Sequence, residues 1–404
     1  MRCMPRYLLV LAIASIACFA QELAPPSPQR LVVHSNILNE DRVIWVRMPA
    51  APRANKESYA VLYMTDGGSN VNEIGSTIDF LVENNRIPPL IVVGITNTDR
   101  NRDLTPTHAD EKHSDGTVES VPTSGGADKF LDFIQTELVP EIEKRYATQP
   151  YRIFTGHSFG GLFAIHALIT RPELFNAYIA VSPSLWWDDA HTLHQAQQFF
   201  ARQKEFKKTL FFSLGNEGTD MSNGFEQLQK TLSGTLPKGF VAESARFSDE
   251  THGSTVLVAH YAGLRAIFAG WQVPQDPKTG LPAGGLAGVE QHYRELSERF
   301  GFKVSSEQGI NSLGYGLLGR KRIDEAMAAF KRNVELYPRS ANVYDSLGDG
   351  LEAGGKPELA MQNVQKAVEV ATQNGDPLLP EFKKHLERLT AAIKTASGKA
   401  GQAK

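Results

Sequence analysis

The chain is almost without cysteine: of its 404 residues only Cys3 and Cys18 carry a thiol, and both fall within the first eighteen positions. Neither a disulfide framework nor a thiolate metal site can be built from the remainder. An excess of one charge is missing too, with 42 basic against 45 acidic residues and a formal net charge of -3. No basic stripe stands out, which argues against a nucleic-acid partner. There is no H-E-x-x-H segment and no other clustered ligand spacing, so neither metal nor cofactor is expected. Apart from the N-terminus there is no apolar run approaching the roughly 20 residues that cross a bilayer.

The N-terminal stretch "MRCMPRYLLVLAIASIACFA" places Arg2 and Arg6 ahead of an apolar core from Tyr7 to Phe19, with small residues at Cys18 and Ala20. This is the layout of a signal peptide, residues 1–20, cleaved after Ala20. Export to the periplasm or the medium is expected, with no membrane span left after cleavage. A lipid anchor on Cys18 is the alternative, against which stands Ser15 where such signals carry an aliphatic residue.

From Arg30 to about Trp271 short β-branched runs alternate with longer amphipathic ones, the pattern of an α/β fold with a mostly parallel sheet flanked by helices. Strands are predicted at "RLVVHS", "RVIWVRM", "YAVLYMT", "PLIVVGIT", "YRIFTG", "AYIAVS", "TLFFSLG" and "VAESARF". Helices are predicted near 71–84, 126–146, 159–170, 189–206, 222–233 and 254–270. Only "NILNED" separates the first two strands, so the sheet should open with an antiparallel pair and continue parallel.

The Pro- and Gly-rich stretch "WQVPQDPKTGLPAGG" (271–285) marks a linker, placed at 272–287, between a unit at 30–271 and an all-α tail at 288–396. Offsetting the tail by 34 residues superposes Leu313 and Gly314 on Leu347 and Gly348, and Ala326 on Ala360. That period, with two helices per unit, resembles tetratricopeptide repeats. Two such units need capping by the helices near 288–300 and 378–396, and offer a groove for a protein or peptide partner.

The stretch "GHSFG" sits where the strand "YRIFT" gives way to the helix "FGGLFAIHALITR". It fits the G-x-S-x-G elbow, which exposes a serine nucleophile, here Ser158, on a tight strand-to-helix turn. The oxyanion donors would be the backbone N–H of Phe159 and one from "TDGGSN" after the third strand, where Gly67 or Gly68 lets the backbone approach. This arrangement orders its partners serine, acid, histidine. Of eleven histidines, His252 in "FSDETHGST" alone follows the last strand in a loop. The acid belongs after "TLFFSLG", where Glu217 and Asp220 both qualify; Glu217 is favoured because it lies nearer the strand end.

"GHSFGG", followed by "SPSLWWDD" and "HGS", resembles the family of enterochelin (ferric siderophore) esterases and, more distantly, esterase D. The likeness covers about residues 30–270 and includes "GITNTDRNRDLTPT" at 94–107. It implies an α/β-hydrolase fold and ester hydrolysis through an acyl-serine intermediate, with Ser158 as nucleophile and His252 as base. Arg100 and Arg102 would meet an anionic substrate or else pair with neighbouring carboxylates. Trp186 and Trp187 would line an acyl or aryl pocket or close the core.

The expected function is therefore an exported serine esterase acting on siderophore-type or related small esters. An acyltransferase or a peptidase could use the same site, and a binding scaffold working through the tail is the reading from another class.

Overall fold

The computed structural model describes residues 27–50, 58–112, 116–234 and 236–402. Residues 1–20, where a signal peptide is expected, with Cys3 and Cys18, and also His113, lie outside these.

The chain opens with a hairpin of β1 (Gln29–Ser35) and β2 (Glu40–Arg47). Then follow β3 (Tyr59–Met64), α1 (Gly67–Glu83), β4 (Leu90–Ile95) and a short α2 (Arg100–Leu104). A two-residue pair, β5 (Glu111–Lys112) and β6 (Val118–Glu119), precedes α3 (Ala127–Phe133) and α4 (Val139–Arg145). The rest of the alternation is β7 (Thr148–His157), α5 (Phe159–Thr170), β8 (Ala177–Val181), α6 (Trp187–Arg202), β9 (Thr209–Leu214), α7 (Thr219–Leu232), β10 (Val241–Arg246) and α8 (Thr255–Ile267).

Eight strands form one sheet in the order β1-β2-β4-β3-β7-β8-β9-β10, with every residue of β3, β4 and β8 buried. Such runs are apolar throughout because both faces of the sheet are covered. One face packs on α3, α5, α6 and α7 through residues such as Phe130, Phe163, Leu193 and Phe225. The other packs on α1 and α8 through Ile74, Ile78, Ala259 and Leu264. This is the α/β-hydrolase fold.

Three expectations need correction. The sheet holds a second antiparallel pairing, β2 with β4, because β3 enters beyond β4 and leaves the reversed β2 between two strands of opposite sense. The helix predicted at 126–146 is α3 and α4 joined through a π turn at Ile134–Leu138. Pro140 has no N–H to give to the carbonyl of Thr136, which favours a wider turn there. Helix α1 begins at Gly67, ahead of the predicted residue 71.

The tail comprises α9 (Gly285–Phe300), α10 (Glu307–Leu318), α11 (Ile323–Leu336), α12 (Ala341–Ala353), α13 (Pro357–Asn374) and α14 (Leu379–Gln402). From Glu307 to Ala341, and from Ile323 to Pro357, the starts of equivalent helices differ by the 34 residues read from the sequence. The repeated glycine has a packing cause. A Cβ on Gly314 would stand 2.3 Å from the Phe330 ring, and one on Gly348 would stand 2.5 Å from Val364. Both mark a close approach of paired helices.

The tail is packed firmly onto the sheet domain. Phe300 of α9 lies 5.1 Å from the Tyr151 ring and 5.2 Å from that of Phe268. Arg299 donates to the carbonyls of Ala269 and Ile267 at 2.6 and 2.9 Å.

Candidate active site

Strand β7 delivers Ser158 at its C-terminal end, and α5 starts at the next residue. Ser158 has φ 61° and ψ −116°, a conformation that L-residues hold only when the surroundings impose it. Here its N–H donates to the carbonyl of Val181 at 2.9 Å, and its own carbonyl accepts from Leu162. The flanking glycines are compulsory for space. A Cβ on Gly156 would lie 2.3 Å from the carbonyl oxygen of Gly160, and one on Gly160 would lie 2.3 Å from Thr65 Oγ1.

The loops after β9 and β10 bring Glu217 and His252 together. Nδ1 of His252 is 2.6 Å from Glu217 Oε2, while Oε1 accepts from Ser182 Oγ at 2.5 Å and from the Gly215 N–H at 3.0 Å. Burial alone would raise the Glu217 pKa, but the bonds from His252, Ser182 and Gly215 outweigh it and hold the carboxyl below its ordinary value. Asp220 sits exposed in the first turn of α7 and takes no part in this pairing. The His252 side chain is 45% exposed and Glu217 4%, so the histidine faces the cleft and the carboxylate supports it from behind.

A cleft of about 440 Å³ opens over Ser158 and is lined also by His252, Phe159, Ser184, Trp186 and Arg100. Ser158 Oγ is 3.2 Å from Ser184 Oγ; among the described residues its side-chain hydrogen bond is to this serine and not to His252. Catalytic hydrogen bonds are often long before a substrate is bound.

Neither glycine of "TDGGSN" is among the residues that line this cleft, and for Gly67 the packing itself requires a glycine. A Cβ on Gly67 would stand 2.2 Å from the backbone of Gly94 in β4, and Gly68 faces Thr96 and the Trp45 indole. Arg102 is likewise away from the cleft, bound to Glu40 at 2.7 Å and to Asp103 at 2.8 Å. Trp187 is 1% exposed, donates to Thr107, and closes the core against Phe159. Trp186 and Arg100 do line the cleft. Arg100, however, is engaged by Asp66 at 2.9 Å and by the carbonyl of His157 at 3.0 Å.

The sequence reading missed Ser182, Ser184, Met221 and His157. The first two lie in "SPS", directly after β8, and that position alone could have flagged them. His157 packs against His252 with ring centroids 4.3 Å apart. Burial first, then the charges of His252 and Arg100, lower its pKa to about 4. His166 and His260 are structural, bonded to Asp128 and to Thr155.

Residues 35–235 match the family model described as "Putative esterase". Ferri-bacillibactin esterase BesA of Bacillus subtilis (strain 168) is 30% identical over 250 residues, which span 56% of this chain and 85% of that protein. A siderophore enterobactin esterase of Emericella nidulans is 34% identical over 172 residues, 35% of this chain and 55% of its own length. Among solved structures, an IroE-like serine hydrolase from Shewanella oneidensis superposes with TM-score 0.66 at 30% identity, covering 76% of this chain and 99% of its own. A protein from Capnocytophaga ochracea DSM 7271 covers 90% of this chain and 99% of its own, with TM-score 0.59. At 14% identity that likeness is one of fold alone.

Proposed function

This chain belongs to the esterase family and is a carboxylic ester hydrolase of the α/β-hydrolase type, and on that premise we propose an exported serine enzyme that cleaves siderophore-type esters through an acyl-serine intermediate. The observation that carries the reading is the His252–Glu217 pair facing a cleft shared with a strained Ser158.

In the proposed cycle Ser158 Oγ attacks the ester carbonyl carbon as its proton passes to His252 Nε2. Glu217 keeps the other imidazole proton on Nδ1 and stabilises the imidazolium. The backbone N–H of Phe159, at the start of α5, donates to the oxyanion. As the tetrahedral centre collapses, the C–O bond to the alcohol breaks and His252 hands its proton to the departing oxygen. Water then repeats the sequence on the acyl-enzyme and frees Ser158 and the acid.

The siderophore class comes from the names of the relatives and from the cleft, whose Trp186, Phe159 and Met221 give an apolar wall for an aryl or acyl group. Export rests on the signal segment at 1–20; among the described residues no helix is long and apolar enough to cross a membrane. We place the catalytic unit at 30–271, the linker at 272–287 and a tetratricopeptide-like unit at 288–396.

Labelling with a fluorophosphonate probe, alongside p-nitrophenyl butyrate turnover, tests the mechanism. Both should vanish in Ser158→Ala and in His252→Ala. A folded wild-type protein that neither labels nor turns over the ester would overturn it.

A further inference from the structure

A cavity of about 680 Å³ lies where the sheet domain, the linker and the tail meet. Arg86, from the turn after α1, and Arg265, in the last turn of α8, line one part of it. Trp271 and Gln272 come from the linker, and Gln308 and Ser312 from α10. In a chain with more acidic than basic residues, no aspartate or glutamate lines this cavity.

Among the described residues neither arginine has a carboxylate partner. Arg86 donates to Gln272 Oε1 at 2.9 Å, an amide without charge. Arg265 has no ion pair among the described residues and lies over the Tyr261 ring at 5.7 Å. Arg102 and Arg152, by contrast, are each bound to a carboxylate. Two guanidinium forks line one polar recess, and their planar geometry suits a carboxylate. The Trp271 indole, held edge-on against Phe268 and Phe300, supplies a rigid aromatic wall beside them.

We propose that this junction is a binding site for a small aromatic carboxylate, with the carboxylate on Arg86 and Arg265 and the ring against Trp271. The site is separate from the Ser158 cleft, since the two share no lining residue, and it does not depend on the hydrolytic reading. It exists only where the tail is docked, because α10 supplies one wall. A neighbouring cavity shares Asn85, Trp271, Tyr293 and Gln308 and adds Lys303 and Glu307. The carboxylate is thereby directed to the side that has no acid.

Calorimetric titration of the full-length protein with benzoate, benzamide and acetate tests this. Benzoate should bind saturably with one site per chain, and benzamide and acetate at least about tenfold more weakly. Arg86→Gln and Arg265→Gln should each weaken benzoate binding about tenfold while p-nitrophenyl butyrate turnover stays at the wild-type level, which shows that the variants are folded. Ser312→Asp, which sets a carboxylate on the tail wall, should abolish benzoate binding from the opposite side. Absence of saturable benzoate binding to the wild type, equal affinity for acetate or benzamide, or undiminished affinity in the Arg86→Gln/Arg265→Gln double variant would each overturn the proposal.

Discussion

The imidazole of His157 rests against that of His252, the two ring centroids 4.3 Å apart. Because burial first, and then the charges of His252 and Arg100, lower the His157 pKa to about 4, this ring stays neutral beside the proposed base. His157→Ala removes the support from one face of His252 and should lower kcat about tenfold through misplacement of the base. His157→Phe, which restores a neutral ring, should recover most of it. The acid limb of the kcat/KM profile should be the same in His157→Phe and wild type between about pH 5 and 8; a displaced limb would show that His157 itself titrates there.

Glu217→Gln should cost about 10²- to 10⁴-fold in kcat, since a neutral amide neither fixes the Nδ1–H tautomer nor stabilises the imidazolium. Asp220→Ala, at an exposed position outside the pairing, should stay within about twofold of wild type. Steady-state kinetics on both variants decides between the two acids, and the opposite ranking would reverse the assignment.

Thr65 and Gly160 form a testable pair. Gly160→Ala brings a Cβ to 2.3 Å from the side-chain oxygen of Thr65, so Thr65→Ala in the same chain should recover part of the lost stability. Gly156→Ala meets a backbone carbonyl at the same distance and should gain nothing from Thr65→Ala. Urea midpoints for the five variants, Thr65→Ala alone included, measure the coupling; equal additivity in both pairs would contradict the packing account.

His260 is buried, bonded through Nε2 to Thr155 Oγ1 and through Nδ1 to the Val256 carbonyl, with its pKa lowered to about 4 by burial. A group lowered in the folded state binds fewer protons than its unfolded counterpart. Its stabilising share is therefore full above about pH 6.5 and is lost as the pH falls towards 4. His385 in the tail has the opposite sign. The bond to Asp345 raises its pKa, so its share is full below about pH 6.5 and is lost as the pH rises through the elevated value. Unfolding curves at pH 4.5, 6 and 8 should show His260→Gln flattening the acid side and His385→Gln the alkaline side; unchanged slopes would refute the assignment.

Arg42 and Asp103 form an ion pair at 2.5 Å with side-chain exposures of 0% and 1%, and the guanidinium also lies over the Phe130 ring. Asp103→Ala takes one of two carboxylates from the buried Arg42 cation, leaving Glu40 at 2.8 Å, and should destabilise by about 1–3 kcal/mol. The double replacement Arg42→Met with Asp103→Leu should cost markedly less. A double variant as unstable as the single one would mean that the pair itself, not the under-compensated cation, sets the penalty.

All eight strands of the sheet were legible in the sequence, most plainly β3, β4 and β8, since strands buried on both faces read as unbroken apolar runs, as in Leu90–Ile95. The turn at Ser158 was legible from the local signature of the elbow, and the loops whose Glu217 and His252 meet were legible from the order of partners that the fold imposes. Hidden from it were features set by close approach. Gly67 serves Gly94, a neighbour 27 positions away, and no local pattern distinguishes that need from a ligand's. Arg100 and Arg102 look alike in sequence, and only the folded chain separates the one beside the cleft from the one held by Glu40. Helix α2, with five residues, is too short to show a period.

The apolar cluster behind α1 and α8 runs on without a break through Phe300 and Leu313 as far as Leu389, so the two halves of the molecule are not beads on a string. Cutting the chain in the linker would leave Tyr151 and Phe268 facing water, and a hydrolase of this shape that dispensed with the helices would need polar residues at both positions. The tail and the face it covers can therefore be inherited, deleted or transplanted only together, and a swap between relatives must carry that strip of side chains with it.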